Sequence, residues 1–219
     1  MKYLITTIAA VVLVGCGESI PDISIWEAAK RGDTVTAKKL LEAGADPNLK
    51  GELNTSALLI AIARGNQKTA ELLIENGANV NSMHSAGSPL QAAADNNLTN
   101  IVKKLIQKGA DLNHKSSQGT ALYLAASFGH LETVEILINS GANFNIPHMN
   151  GNTPLHSSIQ FKHSKVARLL IKKGADVGII NIIGESPLNI AIETKQKEIA
   201  ELLHKHGGKT NEELKAEGK

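Results

Sequence analysis

Along the chain, paired apolar residues return at the same place in a repeating unit. Leu40-Leu41, Leu73-Ile74, Leu105-Ile106, Leu137-Ile138 and Leu170-Ile171 each lie just ahead of a glycine, at Gly44, Gly77, Gly109, Gly141 and Gly174. Each pair reads as the buried end of an amphipathic helix. The glycine supplies a left-handed C-cap, a conformation that costs a residue with a Cβ about 1–2 kcal/mol. Ala follows each glycine, then Asp or Asn, at Asp46, Asn79, Asp111, Asn143 and Asp176, as a turn requires. With Gly207-Gly208 as a variant sixth copy, successive intervals are 33, 32, 32, 33 and 33 residues. A fixed period of this size means stacked supersecondary units, each too small to bury its apolar face alone. Such a stack offers a long surface rather than a deep pocket, so binding is its default function.

A second helix start lies upstream in each unit. It reads Ser88-Pro89-Leu90-Gln91, Thr153-Pro154-Leu155-His156 and Ser186-Pro187-Leu188-Asn189, with weaker copies at Ser56-Ala57-Leu58-Leu59 and Thr120-Ala121-Leu122-Tyr123. The hydroxyl caps a helix, and Pro at the first helical position loses no bond. Small residues follow at Ala61, Ala93-Ala94, Ala125-Ala126 and Ala191, and let neighbouring helices approach closely. This T-P-L-H start, the Gly129-His130 turn and the closing G-A-D/N-x-N resemble ankyrin repeats, in six copies over residues 25–208. The resemblance implies an all-α repeat solenoid, two antiparallel helices per repeat, with a β-turn finger projecting at about a right angle. Asn97 and Lys162 stand where the turn glycine belongs, and Ser157-Ser158 where Ala-Ala belongs. These departures weaken single turns without threatening the fold.

Both ends are atypical. The first unit starts at its inner helix, Ile25-Trp26-Glu27-Ala28-Ala29, with no finger before it, and Trp26 reads as a shield for the end of the core. In the last unit His204 replaces Leu or Ile, because no neighbour covers that face. Thr210 and Glu213 are spaced like a capping box, so the tail, residues 209–219, either forms one helical turn or frays, with fraying the favoured of the two readings. Finger lengths differ too. From closing Gly to next hydroxyl is 12 residues for Gly44, Gly141 and Gly174 but 11 for Gly77 and Gly109, so the fingers of repeats 3 and 4 are expected to be shorter than those of repeats 5 and 6.

The N-terminus carries an address. Lys2, an apolar run over residues 3–14 and the sequence Leu13-Val14-Gly15-Cys16 make an export signal too short to span a bilayer. It resembles a bacterial lipoprotein signal, which implies removal of residues 1–15 and a lipidated Cys16. By the same resemblance Gly17, not Asp, favours the outer membrane, with the protein facing the periplasm. The expected layout is signal peptide 1–15, tether 16–24, one repeat domain 25–208 and tail 209–219. Extended, the tether reaches at most about 30 Å, which keeps the repeats near the bilayer.

Composition narrows the function. Cys16 is the only cysteine, which excludes an intrachain disulfide or a zinc cluster of thiolates. Formal charge is +2, and +1 once Lys2 leaves with the signal, too little for a nucleic-acid partner. No catalytic or phosphate-binding motif is present, so neither enzyme activity nor a cofactor is expected. His84, His114 and His148 fall in consecutive fingers. Units stacked about 8–10 Å apart cannot bring them within zinc-ligand distance of one ion, so no metal site is expected.

Phe128 and Phe161 share one position, where other repeats have Arg64, Asn96 and Thr194. In ankyrin repeats this is the solvent end of the inner helix, facing the concave groove. The candidate partner-binding residues are Tyr123, Phe128, Met149, Phe161, Ile182 and Ile183, expected to form one contiguous apolar patch, with Ile179 or Ile180 packing inside. Packing between repeats 4, 5 and 6 is the competing reading. Lipoproteins of this layout resemble immunity proteins that block secreted antibacterial lipases or phospholipases. The alternative is a periplasmic helper of an oxidative-stress enzyme such as catalase.

Overall fold

The computed structural model describes residues 22–217 apart from Ala86; the signal peptide, Cys16 and most of the tether lie outside the described residues. Six helix pairs follow one another: α1 (Ile25–Arg31) and α2 (Thr34–Glu42), α3 (Ala57–Ala63) and α4 (Gln67–Glu75), α5 (Pro89–Asp95) and α6 (Thr99–Gln107), α7 (Ala121–Ser127) and α8 (Leu131–Asn139), α9 (Pro154–Gln160) and α10 (Ser164–Lys172), α11 (Pro187–Glu193) and α12 (Lys197–Lys205). The first helix of each pair packs on the first of the next, and the second on the second, giving an inner and an outer layer.

Sequence explains the starts. Ser24, Ser56, Ser88, Thr120 and Ser186 each accept the N–H of the third residue of an inner helix. Proline fills the first turn of α5, α9 and α11. The turn between layers needs a left-handed residue. Gly32, Gly65 and Gly129 supply it at φ 72–74°, but Asn97, Lys162 and Lys195 adopt it at 53°, 60° and 59°. Three turns therefore carry the backbone strain of a Cβ in this region, Lys195 being a third departure at the turn-glycine position beside Asn97 and Lys162.

Leu58, Leu90, Leu122 and Leu155 of the inner layer and Leu73, Leu105, Leu137 and Leu170 of the outer layer are almost fully buried. The small residues Ala61, Ala93, Ala94, Ala125 and Ala126 lie at the close contact. Ser157 and Ser158 are equally buried and keep their hydroxyls satisfied, Ser158 by Leu155 O at 2.9 Å and Ser157 by the Ser127 hydroxyl at 2.5 Å. That is why the Ala-to-Ser departure is harmless.

Repeats are also stitched by polar ladders. Asn48, Asn81, Asn113 and Asn145 each accept, through Oδ1, the N–H of Asn79, Asp111, Asn143 and Asp176 in the next repeat, at 2.7–3.0 Å. On the turn side Asn66, His130, His163 and Gln196 each donate to a carbonyl in the last turn of the preceding inner helix.

The finger lengths come out as expected. His84 pairs with Gly87 and Ser116 with Gly119, leaving two residues in each turn. His148 pairs with Asn152 and Asn181 with Glu185, leaving three. Trp26 does cap the first repeat: it is 5% exposed, lies under Lys30 Nζ at 4.9 Å and is approached so closely by Gly51 that a Cβ there would fall 2.0 Å from the ring.

Of the two readings of the tail, the helical one is found over the described residues up to 217, and the favoured fraying is not. Thr210 and Glu213 form a complete capping box that opens α13 (Asn211–Ala216). Leu214 is buried, Ser186 donates to Lys209 O at 2.7 Å, and Asn211 N–H reaches Asn189 Oδ1 at 2.6 Å. The tail thus docks where a seventh inner helix would start, and apolar burial plus these bonds outweigh its entropy. Among the described residues no helix is long and apolar enough to cross a membrane.

Candidate functional site

Phe128 and Phe161 are the residues that end α7 and α9. Their side chains are 56% and 55% exposed. The polar residues at the same position serve the helix end: Asn96 Nδ2 donates to Ala92 O at 2.9 Å, and Thr194 Oγ1 to Ile190 O at 2.6 Å. A phenylalanine forgoes that bond and leaves a large apolar ring in water. More than half of each residue stays in water, so their presence points to contact with something outside the chain. The Phe128 ring lies over His130, centroids 5.9 Å apart, and His130 is itself fixed by its bond to Asp95 O. Burial pushes the Asp95 carboxyl up, against the opposing pull of His130.

Ile192 extends this edge into repeat 6. Its counterparts Ile62, Ala94, Ala126 and Ile159 are fully buried, but Ile192 is 52% exposed because α13 covers only the other end of α11. It borders a shallow depression of about 300 Å³ lined also by Ala191, Lys195, Gln196, Lys197 and Ala200. The periodic reading missed it, since position in the period marked it as core.

The other candidates lie elsewhere. Met149, Ile182 and Ile183 are 66%, 73% and 73% exposed, on the fingers. The seven-residue inner helix, about 10 Å long, separates them from the phenylalanines. The patch expected to be contiguous is therefore two patches, one at each end of the inner layer. Tyr123 belongs fully to neither: it is half-buried, stacked on His148 at 4.8 Å and pressed against Gly119. Of the finger isoleucines, Ile179 is half-buried and Ile180 is 43% exposed; the residue that turns inward is Asn181, whose amide bridges Asn152 and Glu185.

The finger histidines tie neighbouring fingers together. His84 Nε2 meets Leu53 O at 3.1 Å, and His148 Nε2 meets Ser117 O at 3.0 Å. Ile182 N–H then bonds Asn150 O at 3.1 Å. Among the described residues no group of three or more His, Cys, Asp or Glu is placed to hold a metal ion. His156 is buried; its Nδ1 accepts from Thr153 N–H and its Nε2 donates to Glu185 O of the next finger. Desolvation pushes its pKa down to about 4, so it is a neutral structural group near pH 7. Gln91 performs the same two tasks two repeats earlier, accepting from Ser88 N–H and donating to Gly119 O.

A family model for ankyrin repeats, three copies, matches residues 25–116 and 114–181. Among solved structures, the ankyrin repeat domain from Acinetobacter baumannii AYE is similar at a TM-score of 0.80 and 32% identity, over 84% of this chain and 98% of that one. The human ASB11 ankyrin repeat domain gives a TM-score of 0.73 at 26% identity, over 85% and 89%. A curated ankyrin repeat-containing protein of Treponema pallidum (strain Nichols) is 41% identical over 56 residues, which are 26% of this chain; the match spans 19% of that relative's length. Helix pairs, ladders and a family match over more than half of the sequence agree, and the chain belongs to the ankyrin-repeat family.

Proposed function

We propose that this chain is a lipid-anchored periplasmic module that binds another protein through the edge formed by Phe128, Phe161 and Ile192. One observation carries the reading: two exposed phenylalanines stand at matching helix ends where neighbouring repeats use side chains that serve the helix. Buried aromatic anchors dominate the energetics of protein interfaces. The ankyrin scaffold is in general a protein-interaction fold, and it brings no catalytic grouping with it.

The partner we propose is a secreted lipase or phospholipase that attacks the membrane at which Cys16 anchors the repeats. The chain would act as an immunity protein, covering the mouth of the enzyme's active site by steric occlusion. The export-signal pattern ending at Cys16 supports the location, and the aromatic edge supports the contact. Two measurements test this. Replacing Cys16 by Ser should move the protein from the membrane to the soluble fraction; unchanged fractionation would remove the anchor. A pull-down from membranes should recover a lipase with the wild type and not with Phe128→Ala/Phe161→Ala. Recovery of a catalase instead would overturn the immunity role.

A further inference from the structure

The exposed apolar residues are unevenly placed. Leu53, Met83, Met149, Ile180, Ile182 and Ile183 all lie on the fingers, with Leu53 87% exposed. Leu53 is also left-handed, at φ 54°, and is followed by Asn54 at 62°. An aliphatic side chain held in strained backbone and fully in water needs a reason outside the fold. His84 locks that tip in place through Leu53 O. The charges there are unusual too. The outer helices carry Lys-Glu pairs, such as Lys103–Glu132 and Lys104–Glu75. On the described residues of the finger tips, 52–54, 83–85, 116–118, 149–151 and 182–184, the only carboxylate is Glu52, which pairs with Lys30. These turns thus present apolar surface with no unpaired negative charge.

The chain also enters on this side. Ser24 caps the N-terminal end of α1, the end from which fingers rise in every later repeat. Cys16 lies nine positions before Ile25, a reach of at most about 30 Å. The chain thus leaves the first repeat at its finger end, which gives a lipid on Cys16 its shortest path to the bilayer on the finger side.

We propose that the finger row rests on the phospholipid surface, with Leu53, Met149, Ile182 and Ile183 seated in the headgroup layer. This rests on the Cys16 anchor and adds an orientation to it. Apolar side chains at an interface settle about 5–10 Å into the boundary between headgroups and acyl chains. Tips whose one carboxylate is already paired avoid repulsion from an anionic leaflet. The phenylalanine edge, at the other end of the inner helices, then faces away from the membrane and stays open to a protein.

The test uses the full chain, purified from membranes with its lipid and reconstituted in phosphatidylethanolamine–phosphatidylglycerol vesicles. With lipid attached to the Cys16 sulfur, an engineered cysteine is the only free thiol, and it takes an environment-sensitive fluorophore at Leu53→Cys, Ile182→Cys or, on the turn edge, Lys195→Cys. Brominated lipids should quench the labels at 53 and 182 at least about threefold more than the label at 195, given so shallow a seat. Equal quenching at all three sites, or none, with the protein still on the vesicles would overturn the orientation and leave the anchor standing. Protein recovered free of vesicles would remove anchor and orientation together. A labelled Ile182→Cys in the Leu53→Gln/Met149→Gln background should lose most of its quenching at unchanged melting temperature; retained quenching would contradict the seat.

Discussion

Lowering the pH should destabilise the stack through His156, and one substitution should remove the effect. The imidazole is buried, and desolvation holds its folded-state pKa at about 4, against 6.5 when free. The unfolded chain therefore takes up a proton as pH falls through 6.5, while the folded chain resists until about 4. The contribution to stability is complete above the unfolded pKa and is lost as pH drops toward the folded one. At 1.36 kcal/mol per unit, the full loss is about 3 kcal/mol. Gln91 shows what should replace the histidine, because it already makes the same capping and inter-finger bonds without a titrating group. His156→Gln should keep neutral-pH stability within about 1 kcal/mol, the scale of one net hydrogen bond. Urea unfolding followed by circular dichroism across the acidic range gives the difference between the two proteins, in which the other histidines cancel. The wild type should lose stability relative to His156→Gln as pH falls. Parallel profiles, or a wild type that gains relative to the mutant, would refute the assignment of His156 as a neutral buried group.

Three further substitutions probe the scaffold. Gly51→Ala places a Cβ 2.0 Å from the Trp26 ring and should cost about 1–3 kcal/mol, with a red shift in the emission of the chain's single tryptophan; unchanged emission would mean the finger does not rest on it. Lys195→Gly relieves a left-handed Cβ at φ 59° and should raise stability by about 0.5–1 kcal/mol; a loss would show that the lysine side chain stabilises the turn. Leu105→Ala, in the fully buried outer layer of repeat 3, should cost about 2–5 kcal/mol by calorimetry, and a value near zero would contradict one continuous core.

How much of this was legible follows from how each feature is written in the chain. The stack was readable because it rests on strict positions: a hydroxyl, a small pair, two apolar residues and a glycine. Finger lengths were readable because one missing residue moves Gly87 and Gly119 next to the following hydroxyl. The turn-side ladder was not. Asn66, His130, His163 and Gln196 do one job with different chemistry, so no residue type repeats. Lys195 was as legible as Lys162: it stands nine residues after Ser186, as Lys162 stands nine after Thr153, in the column of the turn glycine. The tail was misjudged because its anchors, Ser186 and Asn189, lie more than twenty residues upstream, beyond the reach of a local capping box. At the candidate site the phenylalanines stood out as apolar exceptions in a polar column. Ile192 did not, because it fits the core pattern and becomes exposed only where the stack ends.

The central claim is that Phe128 and Phe161 face a partner and not the core, and one double mutant tests it. Both rings are more than half exposed, so Phe128→Ala/Phe161→Ala should leave the melting temperature of the free protein nearly unchanged. Binding of the captured partner, measured by calorimetric titration, should be abolished, since each lost aromatic anchor costs about 2 kcal/mol or more. A mutant that melts several degrees lower, with binding weakened only in proportion to unfolding, or one that binds like the wild type, would contradict the account.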